Sequence, residues 1–294
     1  LDDQNFDVAS AYLQDIRYEL NIPSAYGGAE MGRSMAFVPD FLGAGVDALA
    51  VGANRASTGT QQTQSGVVNL YQYAEDGFEK NPIMMLSEHR GHSGYDLFGW
   101  HVTAAGSFHG AGTSSLAVVA EYDDIPTSSG RSGWEVDSNC PASHDLDNAG
   151  SLAIFHGGAL TPEEETSLPA KRDPTMLVWG PQATSRLHHV AGQLDINGDG
   201  LDDLIITSRY TDSGSESNNH CSDRNCGGFG VIWGRAPLAE NTYVTCETDA
   251  WVFGREHSSE LGSSVTHIGD LNNDGCDDFA VGARSADYGH TNQG

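Results

Sequence analysis

Two stretches hold the residues best suited to chemistry. Asp195-Ile196-Asn197-Gly198-Asp199-Gly200-Leu201-Asp202-Asp203 and Asp270-Leu271-Asn272-Asn273-Asp274-Gly275-Cys276-Asp277-Asp278 follow one plan, with side-chain oxygens at positions 1, 3, 5 and 9 and glycine at position 6. Hard divalent cations such as Ca2+ take six to eight oxygen ligands at roughly 2.3–2.6 Å. Alternating carboxylate and amide groups on a tight loop converge on one point, and the glycine permits the sharp turn. Position 7, Leu201 or Cys276, offers its backbone carbonyl, so its side chain is free to vary. Each ring holds three carboxylates that repel one another unless a cation sits among them. The expected cofactor is therefore Ca2+, in two sites.

An EF-hand opens with the same D-x-N-x-D-G pattern. Its twelfth position is a bidentate Glu, whereas this chain has Ile206 or Val281 there, and the flanks are β-type runs. A metal-free Asx-turn is the plainer alternative, and two copies of a nine-residue pattern argue against it.

These loops need strands to hold them, and an internal repeat supplies the strands. Met31–Ala53, Phe98–Ala120, Arg186–Ser208 and Leu261–Ala283 align without gaps, with anchors Asp40, Ser107, Asp195 and Asp270 spaced 67, 88 and 75 residues apart. Each unit runs from a first strand through a Gly/Asp loop to a second strand: ALAVGA, SLAVVA, DLIITS and DFAVGA. A glycine opens a third strand at Gly66, Gly150 and Gly228, and a fourth apolar stretch lies near 82–86, 174–179 and 250–253. Four short antiparallel strands per repeat make one blade of a β-propeller. A β-sandwich also has many short strands but does not require four units in register.

The expected fold is all-β, a propeller of four-stranded antiparallel blades with a little over four blades in this chain. Residues 1–30 are read as the end of a preceding blade or an N-terminal segment. Residues 31–97 and 98–184 form blades whose loops have lost the ligands: Leu42 and Ala44 stand in one, His109 and Ala111 in the other. Residues 185–260 form a blade with a calcium loop, and 261–294 the first half of another. A half blade leaves strand edges unpaired, so the reading expects the natural chain to continue, or another chain to complete the sheet.

Composition narrows the function. Forty-one acidic residues against 14 basic give a net charge of −27, which repels nucleic acid and anionic membrane surfaces. No apolar run approaches the roughly 20 residues of a membrane-spanning helix. Glycine supplies 36 of 294 residues, well above the average of about 7%, as many tight turns require. Five cysteines leave at least one outside any intrachain pair. Cys221 and Cys226, with four residues between them in a Gly/Ser/Asn-rich loop, are read as a local disulfide, since no second pair at metal-ligand spacing accompanies them.

The pattern resembles the FG-GAP repeat of integrin α-subunit heads and of many secreted bacterial proteins. Phe98-Gly99 supplies the FG; Leu261-Gly262 and Met31-Gly32 are near matches; Val51-Gly52-Ala53 and Val281-Gly282-Ala283 supply the GA portion. The third unit departs, with Arg186-Leu187 in place of FG. The resemblance implies a seven-bladed propeller with calcium loops on one face and ligand-binding loops on the other. Its calcium ligands map onto Asp195, Asn197, Asp199, Leu201 and Asp203, and onto Asp270, Asn272, Asp274, Cys276 and Asp278.

The functional expectation is an extracellular or cell-surface, calcium-binding module for adhesion or interaction with protein or glycan, with no nucleic-acid partner. A carbohydrate-active enzyme of the lyase type is the alternative, and His101, His189, Arg186 and Tyr210 are its test residues. A structural subunit of a surface layer or filament is a third reading. Two long insertions between second and third strands, Glu121–Asn148 and Tyr210–Gly227, share one face and mark the expected recognition surface. The two calcium sites, on different blades, are expected to act independently.

Overall fold

The computed structural model describes residues 28–57, 63–74, 77–79, 81–87, 95–110, 112–124, 135–136, 146–166, 168–212, 225–236, 243–245, 248–256 and 258–287. The architecture is all-β. The first sheet comprises β1 (Met31–Val38), β2 (Ala48–Ala53), β3 (Val67–Ala74), β4 (Gly77–Phe78) and β5 (Met84–Leu86). The second is built on β6 (Phe98–Gly106), β7 (Ser115–Ala120), β9 (Ser151–Phe155) and β10 (Met176–Trp179), and β8 (Glu135–Val136) reaches its far edge. A short helix, α1 (Pro162–Glu165), capped by Thr161, lies between β9 and β10. The third sheet holds β11 (Leu187–Leu194), β12 (Asp203–Ser208), β13 (Gly228–Ile232) and β15 (Ala250–Phe253). β16 (Leu261–Gly269) and β17 (Asp278–Ala283) form the fourth.

Consecutive strands within each sheet run antiparallel, and the inner strands pack in series, β1 on β6, β6 on β11 and β11 on β16. This is the arrangement of successive propeller blades. One connection breaks the simple pattern. β14 (Tyr243–Thr245), which follows β13 in the chain, leaves the third sheet and pairs in parallel with β10 of the second, with β8 in parallel beyond it.

The apolar core lies between blades. In β7, Leu116, Val118 and Ala120 face the first sheet, whereas Ala117 and Val119 face the third. A strand buried on both faces reads as an unbroken apolar run rather than an alternating one, which accounts for SLAVVA. A smaller core of Ala191, Leu194, Ile205 and Val231 packs against Val265 and Phe279 of the fourth sheet.

The glycines immediately before β3 and β13 have a task at the blade junctions. Gly66 bridges Phe98, and Gly227 bridges Leu261, the first residue of the next inner strand in each case. Both glycines have positive φ, +88° and +71°, and a Cβ on either would collide with the carbonyl oxygen of its bridge partner. The chain reaches that left-handed conformation and that approach only without a side chain.

Candidate metal loops and the opposite face

Both aspartate-rich loops close the β11–β12 and β16–β17 hairpins, and their hydrogen bonds match. Asp195 Oδ1 accepts from the amides of Gly198 (2.7 Å) and Asp199 (3.1 Å), and its Oδ2 accepts from Gly200 (2.9 Å). Asn197 Oδ1 accepts from Asp199 N at 2.9 Å, and Asp199 Oδ1 from Leu201 N at 2.8 Å. In the second loop Asp270 accepts from Asp274 N and Gly275 N, Asn272 from Asp274 N, and Asp274 from Cys276 N, all between 2.8 and 3.1 Å. Position 9 ties the ring to its strand, Asp203 Oδ2 accepting from Ile196 N at 2.9 Å and Asp278 Oδ2 from Leu271 N at 3.0 Å.

Among the described residues, no three His, Cys, Asp or Glu side chains are gathered closely enough to hold an ion. The rings' oxygens instead lie on backbone amides. The donor set nonetheless suits a hard cation: each carboxylate oxygen carries two lone pairs, so an amide bond orients it without exhausting it. Negative potential is concentrated here. Burial pushes the Asp203 carboxyl above its ordinary range, and the Asp199 and Asp195 charges push the same way against two amide bonds. Partial burial together with Asp274, Asp195 and Asp270 pushes the Cys276 thiol up.

The position-3 residues separate these loops from the two degenerate ones. Asn197 and Asn272 are exposed, whereas Leu42 is buried in the core between the first two sheets. His109 is also buried, its ring bonded to the Arg235 carbonyl (2.9 Å) and to Thr175 Oγ1 (2.8 Å). Ala44 lies in the first loop at positive φ, and Ala111 lies outside the described residues.

Position 8, unassigned by sequence reasoning, proves to be a link between blades. Asp202 Oδ2 accepts from Ser107 N at 2.5 Å and from Ser107 Oγ at 3.0 Å in the preceding blade. Asp277 repeats the device: its Oδ2 accepts from Asp195 N at 3.0 Å, and its own amide donates to the Asp195 carbonyl at 2.8 Å. The two rings are therefore hydrogen-bonded neighbours, and the expected independence does not follow. The signal was the doubled Asp at positions 8 and 9, but partners 95 and 82 residues away lay beyond any local reading.

The other ends of the inner strands hold His101 and His189, in ring contact at 4.8 Å. His101 Nδ1 faces the Val190 amide at 3.4 Å, the place that Ser34 Oγ takes against Val102 N (2.9 Å) one blade earlier. This interaction requires a neutral ring. Burial, then the positive charges of neighbouring groups, hold His101 down to about 4 and His189 to about 3. His188 faces buried Glu121, Nδ1 to Oε1 3.0 Å, with Arg209 at 3.6 Å from the same oxygen. Trp100 Nε1 also lies 3.2 Å from that nitrogen. The carboxylate decides the tautomer, because an Nδ1 lone pair facing it would be repelled. Arg186 donates to Tyr122 Oη at 3.0 Å, and its guanidinium lies 5.4 Å from the Tyr210 ring. Cys226 is buried, whereas Cys140, Cys221 and Cys246 lie outside the described residues, as does most of each long insertion.

Residues 261–294, which contain the second aspartate ring, match the model of the FG-GAP repeat. That segment is similar to an FG-GAP repeat. The chain is also 32% identical over 105 residues to integrin alpha-8 of Gallus gallus, a match covering 35% of this chain and 9% of that protein. The chain thus spans a small part of the length of that relative. No helix among its described residues is long and apolar enough to cross a membrane.

Proposed function

We propose that this chain is a calcium-binding adhesion or interaction module working outside the cell or at its surface. Asp195, Asn197, Asp199, the Leu201 carbonyl and Asp203 would hold one Ca2+; Asp270, Asn272, Asp274, the Cys276 carbonyl and Asp278 would hold the other. The supporting observation is the matched pair of hydrogen-bonded rings, which arrange the same oxygens in the same way on two blades. Bound cations would neutralise carboxylates that otherwise repel one another and would fix the hairpins that Asp202 and Asp277 tie to preceding blades. Extracellular calcium sites bind at about 10⁻⁴–10⁻³ M, so the loops would be filled where calcium is millimolar. A Cys221–Cys226 disulfide belongs to the same reading, as does recognition through the face bearing the loops between second and third strands. The partner is a protein or glycan.

The test is thermal unfolding with calcium and with a chelator. The proposal expects a lower melting temperature on chelation, restored by Ca2+. Equal melting temperatures in the two conditions would reject the ligand assignment.

A further inference from the structure

Arginine is scarce in this acidic chain, yet three guanidiniums gather where the inner strands begin and the second strands end. The residues come from equivalent positions of successive units: Arg33, Trp100 and His188 seven places before each anchor, and Glu121 and Arg209 fourteen after. Tyr122 and Tyr210 follow these last two. They form a continuous chain across three blades. The Arg33 guanidinium lies 4.0 Å from the centre of the Trp100 ring, Trp100 meets His188, and His188 meets Glu121. Arg209 lies beside Glu121 and 4.7 Å from the Tyr210 ring, and Arg186 lies 4.4 Å from the Tyr122 ring.

Positive groups outnumber negative ones in these contacts. Arg33, Arg186 and Arg209 bring three positive charges against one from Glu121 in the chain of contacts. Among the described residues, Nε of Arg186 and of Arg209 and Nδ1 of His189 have no hydrogen-bond partner. Burial first, then His188 and His101, and after them Arg209 and Arg33, push the His189 ring toward its neutral form.

We propose that this cluster binds a carboxylate carried by a sugar, a uronate, at the face opposite the aspartate rings. A guanidinium fork matches the two oxygens of a carboxylate. The indole and phenol rings offer flat surfaces to sugar C–H groups, and the phenol hydroxyls can donate to ring oxygens. With a net charge of −27, the remaining surface repels an acidic protein across a broad contact. A single uronate brings one charge directly to the arginines. The inference rests on reading this face as the recognition surface of an interaction module, and it names the ligand chemistry.

The experiment is calorimetric titration of the whole calcium-loaded chain with glucuronate, glucose and N-acetylglutamate amide. Saturable binding of glucuronate and none of glucose is expected. Arg209→Gln and Arg33→Gln should each weaken it about tenfold or more, the scale of a lost charged hydrogen bond. Arg33 is exposed, so its variant remains informative if Arg209→Gln fails to fold. The His101 and His189 ring signals should titrate at higher pH with glucuronate bound, a shift that a purely structural cluster would not give. Absence of glucuronate binding, equal binding of glucose, tighter binding of the glutamate derivative, or full affinity in both folded variants would each overturn the inference. A chain that retains calcium but ignores glucuronate contradicts this inference alone, and one stable without calcium contradicts the metal assignment alone.

Discussion

Asp202→Ala removes a carboxylate that joins two blades without belonging to the proposed metal ligands. Its Oδ2 takes both the amide and the hydroxyl of Ser107, at 2.5 and 3.0 Å. Gly106 makes room for it, since a Cβ there would collide with the same oxygen. A hydrogen bond to a charged group contributes about 1.5–3 kcal/mol. Water can replace part of this at a half-buried site, so the pair together is worth about 2 kcal/mol. At about 2–4 °C per kcal/mol for chains of this size, the melting temperature should fall by about 4–8 °C in millimolar Ca2+, followed by calorimetry. Ser107→Ala loses only the hydroxyl bond and should cost about 0.5–1 kcal/mol. The double variant should be milder than the sum, because the two residues share one contact. Calcium affinity should stay at the parent value. An unchanged melting temperature, or a loss of calcium as large as that of Asp199→Ala, would refute the account of Asp202 as a link between blades.

Asp277→Ala leaves the Asp195 amide without its carboxylate, so calcium should bind more weakly to the ring at Asp195 while the ring at Asp270 keeps the parent affinity; titration against Asp199→Ala and Asp274→Ala backgrounds separates the two. Gly227→Ala places a methyl group against the Leu261 carbonyl at positive φ and should cost more than about 2 kcal/mol in urea unfolding, since strain and collision add. His101 and His189 have folded values near 4 and 3, below the ordinary 6.5. The unfolded chain therefore takes up their protons first, and stability should fall as pH drops from 6.5 toward 4. The slope is at most about 1.4 kcal/mol per pH unit for each ring. His189→Gln should flatten that slope, as urea unfolding at several pH values would reveal.

The strands were legible because their causes are local. Gly66, Gly150 and Gly228 mark the third strands, where β3 and β9 begin one residue later and β13 begins on Gly228 itself. The apolar stretches at 82–86, 174–179 and 250–253 contain β5, β10 and β15. The parallel pairing of β14 with β10 was not legible, because three residues, Tyr243–Thr245, carry no sign of which sheet they will join. His188 illustrates the same limit. Its neighbours His101 and His189 occupy equivalent places in the repeat, while its own partner, Glu121, lies 67 residues earlier and is buried only once the blades pack. Leu42 shows how a loop can lose its ligand and gain a core contact through one substitution that the pattern alone records merely as a mismatch.

Equilibrium dialysis of calcium against the parent chain, Asp199→Ala, Asp274→Ala and the double variant bears most directly on the aspartate rings. The account predicts two ions on the parent, fewer on each single variant and none on the double. A parent chain that takes up no calcium at millimolar concentration, or a double variant that binds as much as the parent, would contradict it.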